Sequence, residues 1–391
     1  MTAENRHALA ADHVFDGAVV HRNAAVVIEG ARIHSVVPRR DVPSSMPVRA
    51  MPAGTWLAPG FIDVQVNGGG DVLFNDMPTP EGILAIVAAH RRFGTTGLLP
   101  TLISDSAQKM QSALKAVETL VTREPGVLGI HLEGPFLSPE KAGAHDARFF
   151  RVPTDDDKTT LLSPRQGAMV VTLAPERVPA GFIKQLTSAG IRVSLGHSMG
   201  TYDQARAAIA EGATGFTHLF NAMRPLAARE GGLIAAALEA PNVWFGMIAD
   251  GVHVDPAVLR LALRGAGRTM LVTDAMPPVG GSRQRFSLAG EEITVKDGRC
   301  VRQDGTLAGA VLDMSAAVRN CVRMLGIPLE SALRFASMHP AEFIGRGHEL
   351  GRLAAHYRAD IIAIDPDELR VTATWVAGAD VSCAGTAAVT T

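Results

Sequence analysis

The chain has 391 residues, which suits one large α/β barrel domain with a smaller companion, or two ordinary domains. Its composition, 47% hydrophobic and 19% charged, is that of a globular protein able to bury a large core. The net charge of −2 argues against general nucleic-acid binding, which needs a basic excess, but it allows a local basic site for an anionic substrate.

Other features of the sequence bear on where the protein works. The amino-terminal segment lacks the apolar region of a signal peptide, and no apolar stretch reaches the ~18 residues of a transmembrane helix. The three cysteines, Cys300, Cys321 and Cys383, are scattered and predict neither a disulfide framework nor a CxxC pair. We therefore expect a cytoplasmic protein that binds neither nucleic acid nor membranes.

Both ends of the chain are predicted to be rich in β-strands without intervening helices. Residues Ala24–Pro38 indicate two short strands joined by a glycine-containing turn. Ala359–Asp365 and Leu369–Val376 are matching strand candidates near the other end. A small β-sandwich domain built from both termini is therefore predicted over residues 1–57 and 350–391.

The middle of the chain alternates short apolar runs with segments of helical periodicity such as Thr201–Glu211. Alternating β and α units are typical of a parallel sheet, and eight of them over roughly 250 residues predict a (β/α)8 barrel. A doubly wound sheet is the weaker alternative, because no GxGxxG follows the first strand of a candidate βαβ unit. The candidate strands are Phe61–Asn67, Gly97–Leu102, Val127–Glu133, Met169–Ala174, Arg192–His197, Gly215–Phe220, Trp244–Asp250 and Met270–Asp274.

The barrel domain, predicted over residues 58–349, carries further elements after its eighth strand. Phe286–Val301 indicates a β-hairpin insertion, near residues 286–301. Two helical segments are predicted to follow it, Met314–Leu325 and Leu329–Ile344.

The carboxyl ends of barrel strands form the active site, so the residues at those ends carry the functional prediction. Glu133 ends the third candidate strand, His197 the fifth and Asp274 the eighth, while His218 lies in the sixth. The two histidines are 21 residues apart, one βα repeat, which places both imidazoles at one rim. Two histidines and one carboxylate leave an open position on a catalytic zinc ion, which acidifies water. Asp274 would take the proton of that water and return it to the leaving group.

Each of these residues also has a structural alternative. A single histidine at a strand end is more often a hydrogen-bonded structural residue, Glu133 could fix a loop, and Asp274 could cap the next helix. The coincidence of one Glu, two His and one Asp at the same rim favours a metal-dependent hydrolase.

A competing motif overlaps the same rim. Residues 196–200, GHSMG, match the GxSxG nucleophile elbow of serine hydrolases, with Ser198 as the nucleophile. Asp274 followed by His339 or His348 would complete a triad in the expected order along the sequence. No HGGG-type oxyanion segment precedes the motif, and eight strands exceed what that fold predicts, so the metal hydrolase remains the leading interpretation.

Five motifs resemble those of the N-acetylglucosamine-6-phosphate deacetylase family of the amidohydrolase superfamily: HLEGPFLSPEKAGAHD, LGHSMGTYDQA, GATGFTHLFNAM, ADGVHVD and LVTDAMPPVG. The resemblance covers nearly the whole chain and implies a TIM-like (β/α)8 barrel of the amidohydrolase type with a terminal β-sandwich. It implies hydrolysis of N-acetyl-D-glucosamine 6-phosphate to D-glucosamine 6-phosphate and acetate. Three alternatives stay open: the galactosamine epimer, another amide, and a non-catalytic sugar-phosphate binder.

The resemblance assigns roles around the reacting bond. Glu133, His197 and His218 would bind one divalent metal ion per chain, with zinc expected first and iron, cobalt or manganese as alternatives, since all accept such ligands. Asp274 would be the general base and then the general acid. His145 would help to polarise the amide carbonyl.

The resemblance also implies a set of residues that bind the substrate. The phosphate needs backbone N–H donors and cations, and an arginine can meet it bidentately. Two residues would reach the phosphate from the neighbouring subunit of a homodimer, namely Arg229 and His253. The others, on the phosphate or near the acetyl group, are Asn221, Ala222, Leu307, Ala308 and Gly309.

The first candidate strand ends in FIDVQVNG, with Gln65 and Asn67 at the positions where two-metal relatives carry His-x-His. Amides are weak ligands for a transition metal, so we expect no second metal there. Members of the resembled family with Gln-x-Asn at this place are of the single-metal kind. Both amides are expected to hydrogen-bond the water or the neighbouring ligands.

Overall fold

The computed structural model describes residues 6–382. Its centre is a parallel eight-stranded sheet in which each strand pairs with the next one along the chain. Backbone hydrogen bonds of 3.0 Å from Asp274 to Gln65 and from Asn67 to Ala275 join the first strand to the chain that follows the eighth. The predicted (β/α)8 barrel is thereby confirmed. Its strands are Phe61–Val66, Thr95–Ile103, Gly129–Glu133, Ala168–Leu173, Arg192–Leu195, Gly215–Phe216, Trp244–Met247 and Arg268–Leu271.

Helices connect most of these strands and pack one apolar face against the sheet. The helix after the fifth strand begins in a capping box, because the Thr201 hydroxyl accepts from the Gln204 amide while the Gln204 side chain accepts from the Thr201 amide. Within residues 6–382, no helix is both long and apolar enough to cross a membrane. The α-helices are Pro80–Arg91, Ala107–Leu120, Asp155–Leu162, Phe182–Ser188, Tyr202–Ala210, Gly232–Glu239, Pro256–Ala262, Met314–Leu325, Leu329–Ala336 and Met338–Phe343.

The helical segment predicted over Leu329–Ile344 is divided at Ser337, which differs from the expectation of one continuous helix. Ser337 has φ −131° and ψ −69°, outside helical geometry. Pro340 has no amide hydrogen, and its ring would clash with the carbonyl of Ala336 in a continuous helix. The break therefore relieves a conflict that the proline creates.

Strands from both ends of the chain form a second eight-stranded sheet, as the sequence predicted for the terminal domain. Trp56–Pro59 pairs antiparallel with Ile361–Asp365 and so joins the two ends. Both faces of the sheet bury apolar side chains in separate clusters. The division of the chain at residues 57 and 350 stays a prediction. The strands are Arg6–Phe15, Val20–Glu29, Arg32–Pro38, Val48–Ala50, Trp56–Pro59, Ile361–Asp365, Arg370–Val376 and Ala379–Asp380.

The insertion after the eighth barrel strand is larger than the predicted hairpin. It is a four-stranded antiparallel sheet made of Arg285–Leu288, Glu291–Lys296, Arg299–Val301 and Leu307–Ala310. Its apolar face buries Phe286, Leu288, Ile293 and Cys300 in one cluster with Met276, next to the barrel rim. The last strand returns to the rim, where the Ala310 amide donates to the Asp274 carbonyl at 3.0 Å. The insertion thus forms one wall of the barrel opening.

Asp63 links the first strand to the end of the eighth beneath this opening. Its side chain is fully buried and accepts the Thr273 hydroxyl at 2.5 Å and the Gln65 amide at 3.1 Å. Burial disfavours the charged form more than these hydrogen bonds favour it, which raises the pKa of Asp63 to about 7.

Replacing Asp63 by asparagine should stabilise the metal-free protein at neutral and higher pH. The folded pKa of Asp63, about 7, lies above its unfolded value of about 4. The contribution of Asp63 to the wild-type free energy of unfolding should therefore be most favourable below the unfolded pKa and fall as the pH rises through the folded one. The amide in Asp63→Asn fits the same space, can donate to Thr273, and should remove this fall, gaining roughly 1 to 3 kcal/mol above neutral pH. Urea unfolding with chelator at acidic and alkaline pH measures the difference, and parallel pH profiles for both proteins would contradict it.

Candidate functional site

Three potential metal ligands meet at the carboxyl rim of the barrel. Glu133 is the last residue of the third strand, and His197 and His218 follow the fifth and sixth strands by two residues each. Glu133 Oε1 lies 3.0 Å from Nε2 of either histidine, and the two Nε2 atoms are 3.1 Å apart. All three side chains are buried, and among residues 6–382 they form the one cluster of this kind able to hold a metal ion.

The hydrogen bond that fixes His197 and the spacing of the three side chains fit a divalent metal. The Lys141 carbonyl lies 2.7 Å from His197 Nδ1 and can only accept, so Nδ1 carries the hydrogen and the Nε2 lone pair faces Glu133 and His218. Lone pairs and a carboxylate oxygen crowded together require a cation or a proton between them. Ligands of a tetrahedral zinc ion lie about 3.3 Å apart, given bonds of about 2.0 to 2.1 Å. The observed spacing is close to that arrangement.

The charges of the cluster act on one another in the buried site. Desolvation opposes ionisation of Glu133, but the neighbouring imidazoles of His197 and His218 outweigh it and hold the pKa of the carboxyl well below 4.5. Desolvation likewise opposes the charged form of His218, while the hydrogen bond to Glu133 raises the pKa of the imidazole. A positive charge between these three side chains is therefore favoured by their surroundings.

The backbone at the rim adopts an unusual conformation. His197, His218 and Asp274 all have positive φ, at 48°, 28° and 51°. Non-glycine residues in this region store strain and persist where the surrounding structure holds them. Each strand thus ends in an abrupt turn that directs one functional side chain into the opening.

Asp274 lies beside the ligands and is held by the two amides of the first strand. Asn67 Nδ2 donates to Asp274 Oδ1 at 2.6 Å, and Gln65 Nε2 lies 3.3 Å from the same oxygen. Gln65 Nε2 also lies 3.2 Å from Glu133 Oε2. Burial and the nearby charge of Glu133 raise the pKa of Asp274. Gln65 therefore bridges the two carboxylates and Asn67 holds Asp274, while neither amide belongs to the ligand cluster.

His145 is presented to the opening as a neutral hydrogen-bond donor. Its Nδ1 accepts from the Ser104 amide at 3.2 Å, so the hydrogen of a neutral ring is on Nε2. Nε2 lies 4.0 Å from Glu133 Oε1, and the ring centroid is 4.4 Å from that of His197. Burial and the neighbouring His197 hold the pKa of His145 well below 6.5. Such a group can donate to a carbonyl oxygen without carrying a charge.

A cavity of about 260 Å³ opens beside these side chains. Ala308 is fully buried and Arg229 is exposed, and neither of them lines the cavity. Met276 and Thr306, which sequence reasoning missed, contribute to its wall. The expected site residues that line it are Asn67, Glu133, His145, His197, His218, Asn221, Ala222, His253, Asp274, Leu307 and Gly309.

His253 lines the cavity of its own chain, and its expected action from a neighbouring subunit stays a prediction. The Asp250 carboxylate accepts the His253 ring at 2.6 Å and the backbone amides of Val252 and His253 at 2.8 and 2.9 Å. This tight turn follows the seventh barrel strand and keeps the imidazole at the same rim.

Two partners of the histidines were missed from the sequence. Ser104 directly follows the second strand, so the strand-end rule that found Glu133 could have found it. Lys141 contributes its backbone carbonyl to His197, and a backbone contact leaves no signal in residue type.

The GxSxG motif does not form a catalytic triad in this fold. Ser198 is fully buried, donates to Glu176 at 2.6 Å and accepts from the Gly200 amide at 2.8 Å. His339 contacts the carbonyl of Thr269, near the amino-terminal end of the eighth strand and thus at the other end of the barrel. The motif instead fixes the loop that follows His197.

Comparisons with known proteins agree with this geometry. The model of the amidohydrolase family matches residues 56–384. N-acetylgalactosamine-6-phosphate deacetylase of Shewanella sp. (strain ANA-3) is 44% identical over 330 residues, 83% of either chain. N-acetylglucosamine-6-phosphate deacetylase of Haemophilus influenzae is 34% identical over 353 residues, 89% of this chain and 92% of the relative. The crystal structure of N-acetylglucosamine-6-phosphate deacetylase from Pasteurella multocida gives a TM-score of 0.92 at 35% identity, covering 95% of this chain and 98% of that one.

The substitution Glu133→Gln should remove the bound metal, because it deletes the negative charge shared by the two imidazoles. We expect about one metal ion per wild-type chain and an affinity more than about 100-fold weaker in the variant, beyond the loss typical of outer-shell changes. Elemental analysis after dialysis and competition with a chelator measure both quantities. Glu342→Gln is the matched control, since it removes a carboxylate paired with Arg268 outside the site. Two ions per wild-type chain would contradict the single-metal expectation, and unchanged affinity would exclude Glu133 as a ligand.

Proposed function

Since this chain belongs to the amidohydrolase family, we propose that it hydrolyses the acetamide of N-acetyl-D-glucosamine 6-phosphate to D-glucosamine 6-phosphate and acetate. One feature of the molecule supports this most directly. The potential ligands Glu133, His197 and His218 share a single cavity with the buried carboxylate of Asp274. An amide is a poor electrophile with a poor amine leaving group, and this group of residues meets both difficulties.

The metal site and the base divide the chemistry between them. A divalent ion held by Glu133, His197 and His218, with zinc expected before iron, cobalt or manganese, would supply Lewis acidity that acidifies water and polarises the amide carbonyl. Asp274, whose pKa is raised by burial and by Glu133, accepts a proton from the attacking water. The same carboxyl then donates that proton to the leaving amine.

The amides of the first strand decide which oxygen of Asp274 moves the proton. Asn67 and Gln65 both donate to Oδ1, so Oδ2 is left for proton transfer. The Nε2–H of the neutral His145 can donate to the amide carbonyl as negative charge develops there. Its Ser104 partner keeps that hydrogen on the nitrogen that faces the cavity.

The phosphate is proposed to lie at the part of the cavity lined by Asn221, Ala222 and His253. Ala222 has φ 48°, a turn conformation that can direct backbone N–H groups towards an anion. Leu307 and Gly309 line the wall assigned to the acetyl group, with Ala308 packed behind them.

A homodimer is part of the proposal, with Arg229 reaching the phosphate site of the second copy. Arg229 is exposed and does not line the cavity of its own chain, which suits a residue that acts on another one. His253 is proposed to bind the phosphate in the cavity of its own chain, which it lines.

A cytoplasmic location is also proposed. Cys300 and Cys321 are buried free thiols, as is usual in a reducing compartment, and Cys383 lies outside the described residues.

The galactosamine epimer is the second candidate substrate. The Shewanella relative that bears the galactosamine name is 44% identical to this chain, whereas the Haemophilus relative with the glucosamine name is 34% identical. The two sugars differ only in the orientation of one ring hydroxyl, and the metal and base residues act on the acetamide of either.

Asp274→Asn should abolish turnover while the metal stays bound. The amide retains the shape of the carboxylate but cannot accept the proton, so kcat should fall by about 10² to 10⁴-fold. Acetate release and metal content of the same sample measure the two effects. Ser198→Ala is the comparison, because it removes the GxSxG hydroxyl and should keep the activity of the folded protein. Full activity of Asp274→Asn would remove this residue from the mechanism, and an inactive, folded, metal-loaded Ser198→Ala would support a serine hydrolase.

Acetate release from both 6-phosphate epimers tests the substrate. We expect kcat/KM to be higher for N-acetyl-D-glucosamine 6-phosphate than for the galactosamine epimer. Unphosphorylated N-acetyl-D-glucosamine should be poorer than either, because it lacks the charge that the phosphate site binds. Faster hydrolysis of the galactosamine epimer would establish the second candidate, and no acetate from either phosphate would overturn both.

A further inference from the structure

We propose that His131 is a positioning residue, which holds the end of the first barrel strand in the geometry that presents Gln65 to Glu133 and Asp274. His131 lies on the third strand, two residues before Glu133, and is buried in the barrel interior. It does not line the active-site cavity, so any effect on catalysis must pass through other residues. The kinetic part of this inference depends on the deacetylase activity proposed above.

The first barrel strand leaves regular pairing with the second strand between Asp63 and Val66. Side chains replace the missing ladder bonds in this irregular segment. The Val64 carbonyl accepts from His131 Nδ1 at 3.0 Å, and the Val66 amide donates to Thr101 Oγ1 at 2.9 Å. Such irregularities redirect a side chain next to an active site, and here they are held by a buried imidazole and a buried hydroxyl.

Gln65 lies at the centre of this irregular segment. Its side chain is buried and its Nε2 lies 3.2 to 3.3 Å from the oxygens of Glu133 and Asp274. Successive side chains of a strand point to opposite faces, so a rearrangement by one residue would turn Gln65 away from both carboxylates. The hydrogen bond between His131 and Val64 opposes that rearrangement.

His131 is itself oriented by a chain of hydroxyl groups inside the barrel. Because the Val64 carbonyl can only accept, Nδ1 carries the hydrogen and Nε2 accepts from the Thr172 hydroxyl at 2.7 Å. The Thr217 hydroxyl must then donate to Thr172 at 2.6 Å, and Ser194 to Thr217 at 2.7 Å. One donor order satisfies the whole chain, and it fixes the imidazole in one orientation.

The position of this hydroxyl chain matches the residues that it would serve. His131 and the hydroxyl groups lie on the third, fourth and fifth strands and just after the sixth. The third, fifth and sixth of these strands lead into Glu133, His197 and His218. Barrel interiors are usually filled by branched apolar side chains, and burying polar groups costs free energy unless all of them are paired. A fully paired network specifies a single arrangement, as precise placement of ligands requires.

Two substitutions at His131 separate its two contacts. Asn places an amide near the position of Nδ1 and can keep the hydrogen bond to Val64, whereas Gln reaches towards Thr172 and loses Val64. His131→Gln should lower kcat and weaken zinc affinity by about 10 to 100-fold with little change in KM, as expected when an outer-shell contact is lost. His131→Asn should stay within about threefold of wild type in both quantities.

Thr101→Val tests the same segment from the other side, since it removes the acceptor of the Val66 amide without changing the size of the side chain. It should resemble His131→Gln in kcat and zinc affinity. His339→Gln is the matched control, because its Nδ1 lies 2.6 Å from the Thr269 carbonyl at the far end of the barrel. It should lower the melting temperature and leave both quantities unchanged per folded molecule.

The measurements are kcat and KM from acetate release, zinc affinity by chelator competition, and the folded fraction from thermal unfolding. The inference would be overturned if His131→Asn and His131→Gln had equal kcat and zinc affinity after correction for the folded fraction. It would also be overturned if the Gln variant had the higher values. If neither His131 variant folds, Thr101→Val decides, and wild-type kcat and zinc affinity in it would overturn the inference. If wild type releases no acetate, the proposed function fails, while the zinc affinities still decide the role of His131.

Discussion

The closure of the barrel between its first strand and the residues after its eighth is the constraint on which the site depends. The ligand cluster comes from the third, fifth and sixth strands, whereas Asp274 follows the eighth strand. Only closure brings that carboxylate next to Glu133, and the backbone bond from Asp274 to Gln65, at 3.0 Å, is part of the closure itself. Asn67 and Asp63 reinforce it from either side through Asp274 and Thr273. Assembly of the barrel and assembly of the site are therefore one event.

Burial shifts the pKa values of the carboxyl groups in the site, and it also costs free energy because their charged forms lose hydration. Glu133 and Asp274 are both desolvated, and each charge disfavours the other. The imidazoles of His197 and His218 offset part of that cost, and a bound cation would offset more of it. Any ion that binds only the folded chain also stabilises the chain by mass action. Metal binding and folding stability should consequently rise together in this protein.

The sequence predicted the parts of the site that follow from strand order. Glu133, His197, His218 and Asp274 were found because parallel strands end at one rim, a rule that needs only periodicity and spacing. The direction of His253 could not be predicted, since it depends on a turn built by Asp250. The hydrogen on His197 depends on a carbonyl 56 residues away, and the four-stranded insertion depends on packing against Met276. What the sequence missed is set by contacts between distant segments, which residue type alone does not encode.

The left-handed backbone at the ends of the barrel strands restricts how this site can vary. His197, His218 and Asp274 must satisfy both a chemical role and a positive φ, which β-branched residues tolerate poorly. Asn, Asp and His are the non-glycine residues most often found there, so few replacements meet both requirements. Substitution by Val, Ile or Thr is therefore disfavoured at these positions, even where the volume of the side chain would fit. The repertoire of reactions open to descendants of this barrel is thus limited by backbone conformation as well as by the reactivity of the side chains.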